Sequence, residues 1–132
     1  MKTNSNDIAD FRTEKWENDE IVFDKNEALE INANEVEFLK ELAEMFIDGL
    51  PEQMSSIKEA VHSRDNNALE KSAHKLKGAV ANFGNNTVFK AALNLEMMGR
   101  ENRLEDVEEA YGALTKETAR LVNALRNFIK SE

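Results

Sequence analysis

The chain has 132 residues with 17 Lys and Arg against 26 Asp and Glu, a formal net charge of -9. That length suits one domain, and the acidic balance argues against a nucleic-acid partner, whose phosphates would meet a repulsive field. With no cysteine and one proline, thiol and zinc-thiolate chemistry are excluded and the composition favours helix.

No stretch approaches the ~20 apolar residues of a membrane span, and no leader-like apolar run follows the start. A cytoplasmic location is expected. The charge is uneven. From Arg64 to Arg100 there are six basic residues and three acids, a basic island suited to a small anionic target or an acidic protein surface. Ordinary scatter over solvated helix faces produces such patterns too.

Residues 1–20 are polar, weakly periodic and read as a flexible arm in which Phe11 and Trp16 could dock loosely. Residues 21–132 form the expected domain. Ile21, Val22 and Phe23 make a short apolar anchor, and Asp24 is set to cap a brief helix through Glu30. A second helix is predicted from about Asn34 to His62, with Val36, Leu39, Ala43, Phe46, Leu50, Met54, Ile57 and Val61 at steps of three or four. Pro51 should kink it or split it in two.

The third helix fits Asp65 to Phe83, with Asp65 as N-cap and Gly84 just past its end. A fourth runs from the N-cap Asn86 to Met98, with Gly99 near its end. The last is the clearest. Leu104, Val107, Tyr111, Leu114, Thr118, Leu121, Leu125 and Phe128 mark a bundle seam. Short connections make sequential helices antiparallel, so the expected fold is all-α: an up-down four-helix bundle with an N-terminal helical cap and the flexible N-terminal arm. One bundle with its own seam points to a monomer.

At about 100° per residue the third helix separates two faces. Leu69, Leu76, Val80 and Phe83 share the apolar side. Asn67, Glu70, Lys71, His74, Lys77, Gly78 and Ala81 share the polar one. His74 therefore lies opposite the core, which disfavours a buried, satisfied histidine. Gly78 follows one turn later. An interior helix glycine costs about 1 kcal/mol relative to alanine, so it calls for a reason. Either it clears space over the imidazole or it lets two helices approach closely. Lys77 and Lys71, one turn on and one turn back, bring ammonium groups that could offset a phosphoryl charge.

The string His74 to Gly84, HKLKGAVANFG, resembles the motif of histidine-containing phosphotransfer (HPt) domains. His74, Lys77, Gly78 and Gly84 fall at the family's histidine, Lys, Gly and second Gly. The resemblance extends over about Phe23 to Ile129. It implies a phosphorelay intermediate without kinase activity of its own. A receiver domain's phosphoaspartate would pass its phosphoryl group to Nε2 of His74, and another receiver's aspartate would later take it.

On this reading Lys77 stabilises phosphate, Gly78 gives steric clearance, and Lys71, Lys75, Ala81, Asn82 and Arg100 contact the partner. Glu96 and Arg100 fall where the family often sets polar groups near the histidine. The chain would need no cofactor or metal of its own, with Mg²⁺ supplied by the receiver, and its partners would be response-regulator receivers or a hybrid sensor histidine kinase. The unperturbed histidine pKa of ~6.5 leaves much of the side chain neutral at cytoplasmic pH.

Two apolar stripes lie off the main core faces, Phe38, Leu42, Met45 and Gly49 on the second helix and Phe89, Leu93 and Met97 on the fourth. Either could face a receiver, though packing against the N-terminal segment is the more ordinary use. A histidine kinase is disfavoured by length and by the lack of a glycine-rich nucleotide loop. A di-iron bundle would need two Glu-x-x-His pairs, and only Glu59–His62 is present. The remaining alternative is a helical-bundle adaptor or scaffold that binds a signalling partner without being phosphorylated.

Overall fold

A computed structural model describes residues 22–84 and 86–131. The arm predicted over 1–20, and Ile21 of the anchor, lie outside the described residues. Five α-helices follow in order, with no strand among the described residues: α1 Lys25–Ile31, α2 Val36–Ser63, α3 Asn66–Val80, α4 Thr87–Arg100 and α5 Val107–Lys130. A 3₁₀ turn, Ala81–Phe83, extends α3.

Helices α2 to α5 form a closed ring in which each packs on its chain neighbour and α5 returns to α2. Leu39, Ala43, Ile57, Leu69, Ala73, Leu76, Val80, Val88, Ala92, Leu95, Leu114, Leu121 and Leu125 fill its centre. At one end α1 packs across the 3₁₀ turn. There the Phe23 ring meets Phe83 at 6.4 Å and Phe128 at 5.6 Å, and Phe46 meets Phe83 at 5.5 Å. Such edge-on and tilted rings anchor the cap through large apolar area. The Asn32 amide ties it further, donating to the Asn82 carbonyl at 2.9 Å.

Local chemistry sets the helix ends. The Asp24 carboxylate accepts from the amides of Asn26 and Glu27, Asp65 from Ala68, and Asn86 from Phe89, each satisfying donors a helix start leaves open. Helix α2 starts at Val36 rather than Asn34 because Ala33 and Asn34 are both left-handed at φ 59°, a conformation no right-handed helix can contain.

Pro51 does not split α2, which runs unbroken through it. Proline removes only its own bond to the Ile47 carbonyl, and buried Phe46, Leu50 and Ile57 hold both sides against the core. Helix α3 is α-helical only to Val80, tightening into the 3₁₀ turn before Gly84 leaves it at φ 98°. Leu104 stays in the connection ahead of α5, and Tyr111 is only half-buried.

Gly99 lies near the end of α4 as expected, although the helix runs past Met98 to Arg100. There α3 and α4 approach closely. A Cβ there would sit 2.7 Å from the Glu70 nitrogen and 2.8 Å from the Asn66 carbonyl oxygen. No helix among the described residues is long and apolar enough to cross a membrane.

Candidate functional site

The close α3–α4 seam brings a histidine and four ionic side chains together. His74 stands on the outer face of α3 with its side chain 66% exposed, while the Glu96 carboxylate beside it on α4 is 3% exposed. His74 Nδ1 lies 2.8 Å from Glu96 Oε2. The Arg100 guanidinium donates to the same oxygen at 2.9 Å and, through Nε, to Glu70 Oε2 at 2.9 Å. The Lys77 ammonium pairs with the other oxygen, Glu96 Oε1, at 2.8 Å. Glu96 is thus the hub and α3 and α4 supply its cations.

The charges account for the state of Glu96. Burial raises a carboxyl's pKa, but contact with Lys77 and His74 outweighs it and holds Glu96 below the ordinary carboxylate range. Ionised, Glu96 can only accept hydrogen bonds, so the proton of a neutral His74 ring resides on Nδ1. Nε2 is then the lone-pair nitrogen, and it makes no hydrogen bond among the described residues. Arg100 is held charged by Glu70 first and by Glu96.

Gly78 is exposed, and a Cβ there would meet nothing within 4 Å. Close helix packing therefore does not explain it, leaving open space one turn beyond the imidazole. Lys71 lines the same shallow depression as His74, Glu96 and Arg100, together with Asn67 and Glu70.

The other predicted contacts fall elsewhere. Lys75 lines the groove between α2 and α3 with Gly49, Glu52, Gln53, Ser56 and Ser72. Ala81 and Asn82 are exposed in the 3₁₀ turn, where Asn82 also serves the α1 contact. Of the apolar stripes, Phe38 is 45%, Met45 67% and Leu93 36% exposed. The remaining histidine, His62, is exposed in the last turn of α2, and no acid and histidine group able to hold a metal is found among the described residues.

The central role of Glu96 was only faintly legible. Its partner is 22 positions away on another helix, and the hints were an acid within the basic island and the family resemblance, which sets a polar group there near the histidine. Helical spacing placed Glu70 on the polar face with His74, but gave no sign of its pairing with Arg100 on the next helix.

The Hpt domain family profile matches residues 41–126, and the chain belongs to that family. Its role is histidine phosphotransfer in two-component phosphorelays, as a phosphocarrier whose general partners are receiver domains and hybrid kinases. Among solved structures, histidine-containing phosphotransfer protein B (HptB) from Pseudomonas aeruginosa PAO1 superposes with TM-score 0.74 at 19% identity, over 82% of this chain and 94% of that one. The HPT domain of the Hpt sensor hybrid histidine kinase from Shewanella gives TM-score 0.72 at 22% identity, over 80% and 92%. Both establish the shared fold. No curated protein matches the chain in sequence.

Proposed function

We propose that His74 is the phosphoryl-carrying residue of a phosphorelay intermediate, taking its group from one receiver's phosphoaspartate and passing it to another receiver's aspartate. One observation carries this reading. Nδ1 is tied to the buried Glu96 carboxylate while Nε2 is free on an exposed ring, beside the open surface at Gly78. A nucleophile for in-line attack needs a free lone pair in a fixed direction and room for a large partner.

Phosphoryl transfer through a loose transition state depends mainly on positioning and charge. Lys71 and Arg100 lie around the depression where the phosphoryl oxygens would sit, and Lys77 can share its ammonium between Glu96 and that group. The receiver supplies Mg²⁺ and the acceptor carboxylate, and this chain has no kinase activity of its own. Its work is cytoplasmic, where receivers and hybrid kinases operate. Exposed Met45 on α2 and Leu93 on α4 offer the receiver apolar area.

The test is transfer from a labelled receiver to wild type and His74→Gln in parallel. Acid-labile, alkali-stable label on wild type alone is the expected result. Equal labelling of both, or none from a broad panel of receivers, overturns the assignment.

A further inference from the structure

The relay reading assigns the nucleophile. The Glu96 contact bears on a separate question, the proton on the far side of the ring. When Nε2 attacks, the P–O bond of the phosphoaspartate breaks, its electron pair returns to the carboxylate, and a P–N bond forms. The ring is then a phosphorylated imidazolium that still carries its Nδ1 proton. Onward transfer breaks the P–N bond and returns the pair to Nε2. With Nδ1 protonated the leaving group is neutral imidazole. With that proton lost it is an imidazolate anion, a far poorer leaving group.

We propose, building on the relay assignment of His74, that Glu96 is a positioning residue that retains the proton on Nδ1 throughout the cycle, so that phospho-His74 stays a competent donor at neutral and mildly alkaline pH. The support is geometric. Glu96 Oε2 is 2.8 Å from Nδ1 on a side chain 3% exposed, so the carboxylate is held against the ring, and a charge-assisted bond is roughly twice as strong as a neutral one.

The charged groups facing the ring are Glu70, Lys71 and Lys77 on α3 and Glu96 and Arg100 on α4. Lys77 and Arg100 weaken the hold of Glu96 on the proton by sharing its charge, and Glu70 moderates Arg100. The network thereby tunes the proton rather than fixing it outright. Phosphoryl passes in either direction with no net proton transfer.

A receiver-free experiment isolates this step. Wild type, Glu96→Gln and Arg100→Gln are loaded with phosphoramidate, and loss of the phosphoryl group to water is followed from pH 6 to 9, with ¹⁵N spectra of the imidazole recorded alongside. Wild type should hold its rate further into the alkaline range than Glu96→Gln, about tenfold faster near pH 8.5, with convergence near pH 6. Arg100→Gln, which leaves the carboxylate less neutralised, should move the profile the opposite way.

Coincident wild-type and Glu96→Gln profiles, or variants shifted in the same direction, overturn the proposal. If Glu96→Gln does not fold, the spectrum of phosphorylated wild type at pH 8 decides: a retained Nδ1 proton supports the proposal and its absence defeats it. Loading of His74→Gln equal to wild type would instead sink the relay assignment.

Discussion

The backbone of Gly99 on α4 rests against the backbone of Glu70 on α3, with no room for a methyl group between them. This contact sets the spacing at which Arg100 reaches Glu70 and Glu96 reaches His74, so a packing feature controls the geometry of the ionic cluster. Gly99→Ala must push two backbones apart. It should cost about 1–3 kcal/mol, lower the melting temperature by roughly 4–20 °C and weaken the His74–Glu96 contact. Thermal unfolding and the His74 ring ¹⁵N shifts read both effects, and an unchanged melting temperature would contradict the close approach.

Gly78 predicts the reverse pattern. Nothing surrounds its Cβ position, so Gly78→Ala should stabilise the helix by about 1 kcal/mol. A larger side chain, as in Gly78→Gln, should keep the fold and slow phosphotransfer from a receiver at least tenfold. Undiminished transfer with Gln at 78 would remove the clearance role.

Acid should act on Glu96 in a defined direction. Its folded-state pKa lies below its ordinary value, so its contribution to stability is present above the unfolded pKa and is lost as pH falls through the folded one. Urea midpoints of wild type and Glu96→Gln should differ most at neutral pH and converge in acid. A gap that widens on acidification would reverse the sign and refute the ion-pair account.

A second buried carboxylate tests the core. Glu117, 1% exposed on α5, accepts a hydrogen bond from Thr87 at 2.7 Å and from Arg120 at 2.6 Å. Thr87 is the first residue of α4, where a helix start favours negative charge. Thr87→Val removes a donor to a buried acceptor and should destabilise by about 1–3 kcal/mol in urea unfolding. No loss would mean that Arg120 alone satisfies the carboxylate.

What was legible in the chain depended on whether it was local. His74, Lys77 and Gly78 share a face through helical spacing alone, and Asp24, Asp65 and Asn86 cap the helices they precede. Pairings across helices left little trace. By spacing alone Glu96 is one acid on an amphipathic helix, and only the family resemblance set it near His74. Glu117 drew no notice next to the seam residue Thr118, and it is buried with Thr87 and Arg120 as its partners. The place of Gly99 near the end of α4 was legible but its close contact with α3 was not, because glycine's tolerance of close contact and its tolerance of unusual backbone angles look alike in one dimension. Pro51 resembled a break because flanking burial is a property of the whole bundle.

The site's carboxylate and cations, with the histidine they surround, all lie between Asn66 and Arg100 on two consecutive helices joined by a short turn. Contacts this near in sequence incur little loop-closure entropy and form early in folding. The helical hairpin can therefore assemble its reactive geometry before the long α2 and α5 close the ring. A circularly permuted chain opened in the connection between Glu101 and Asp106 would keep that hairpin continuous, and with it the chemistry.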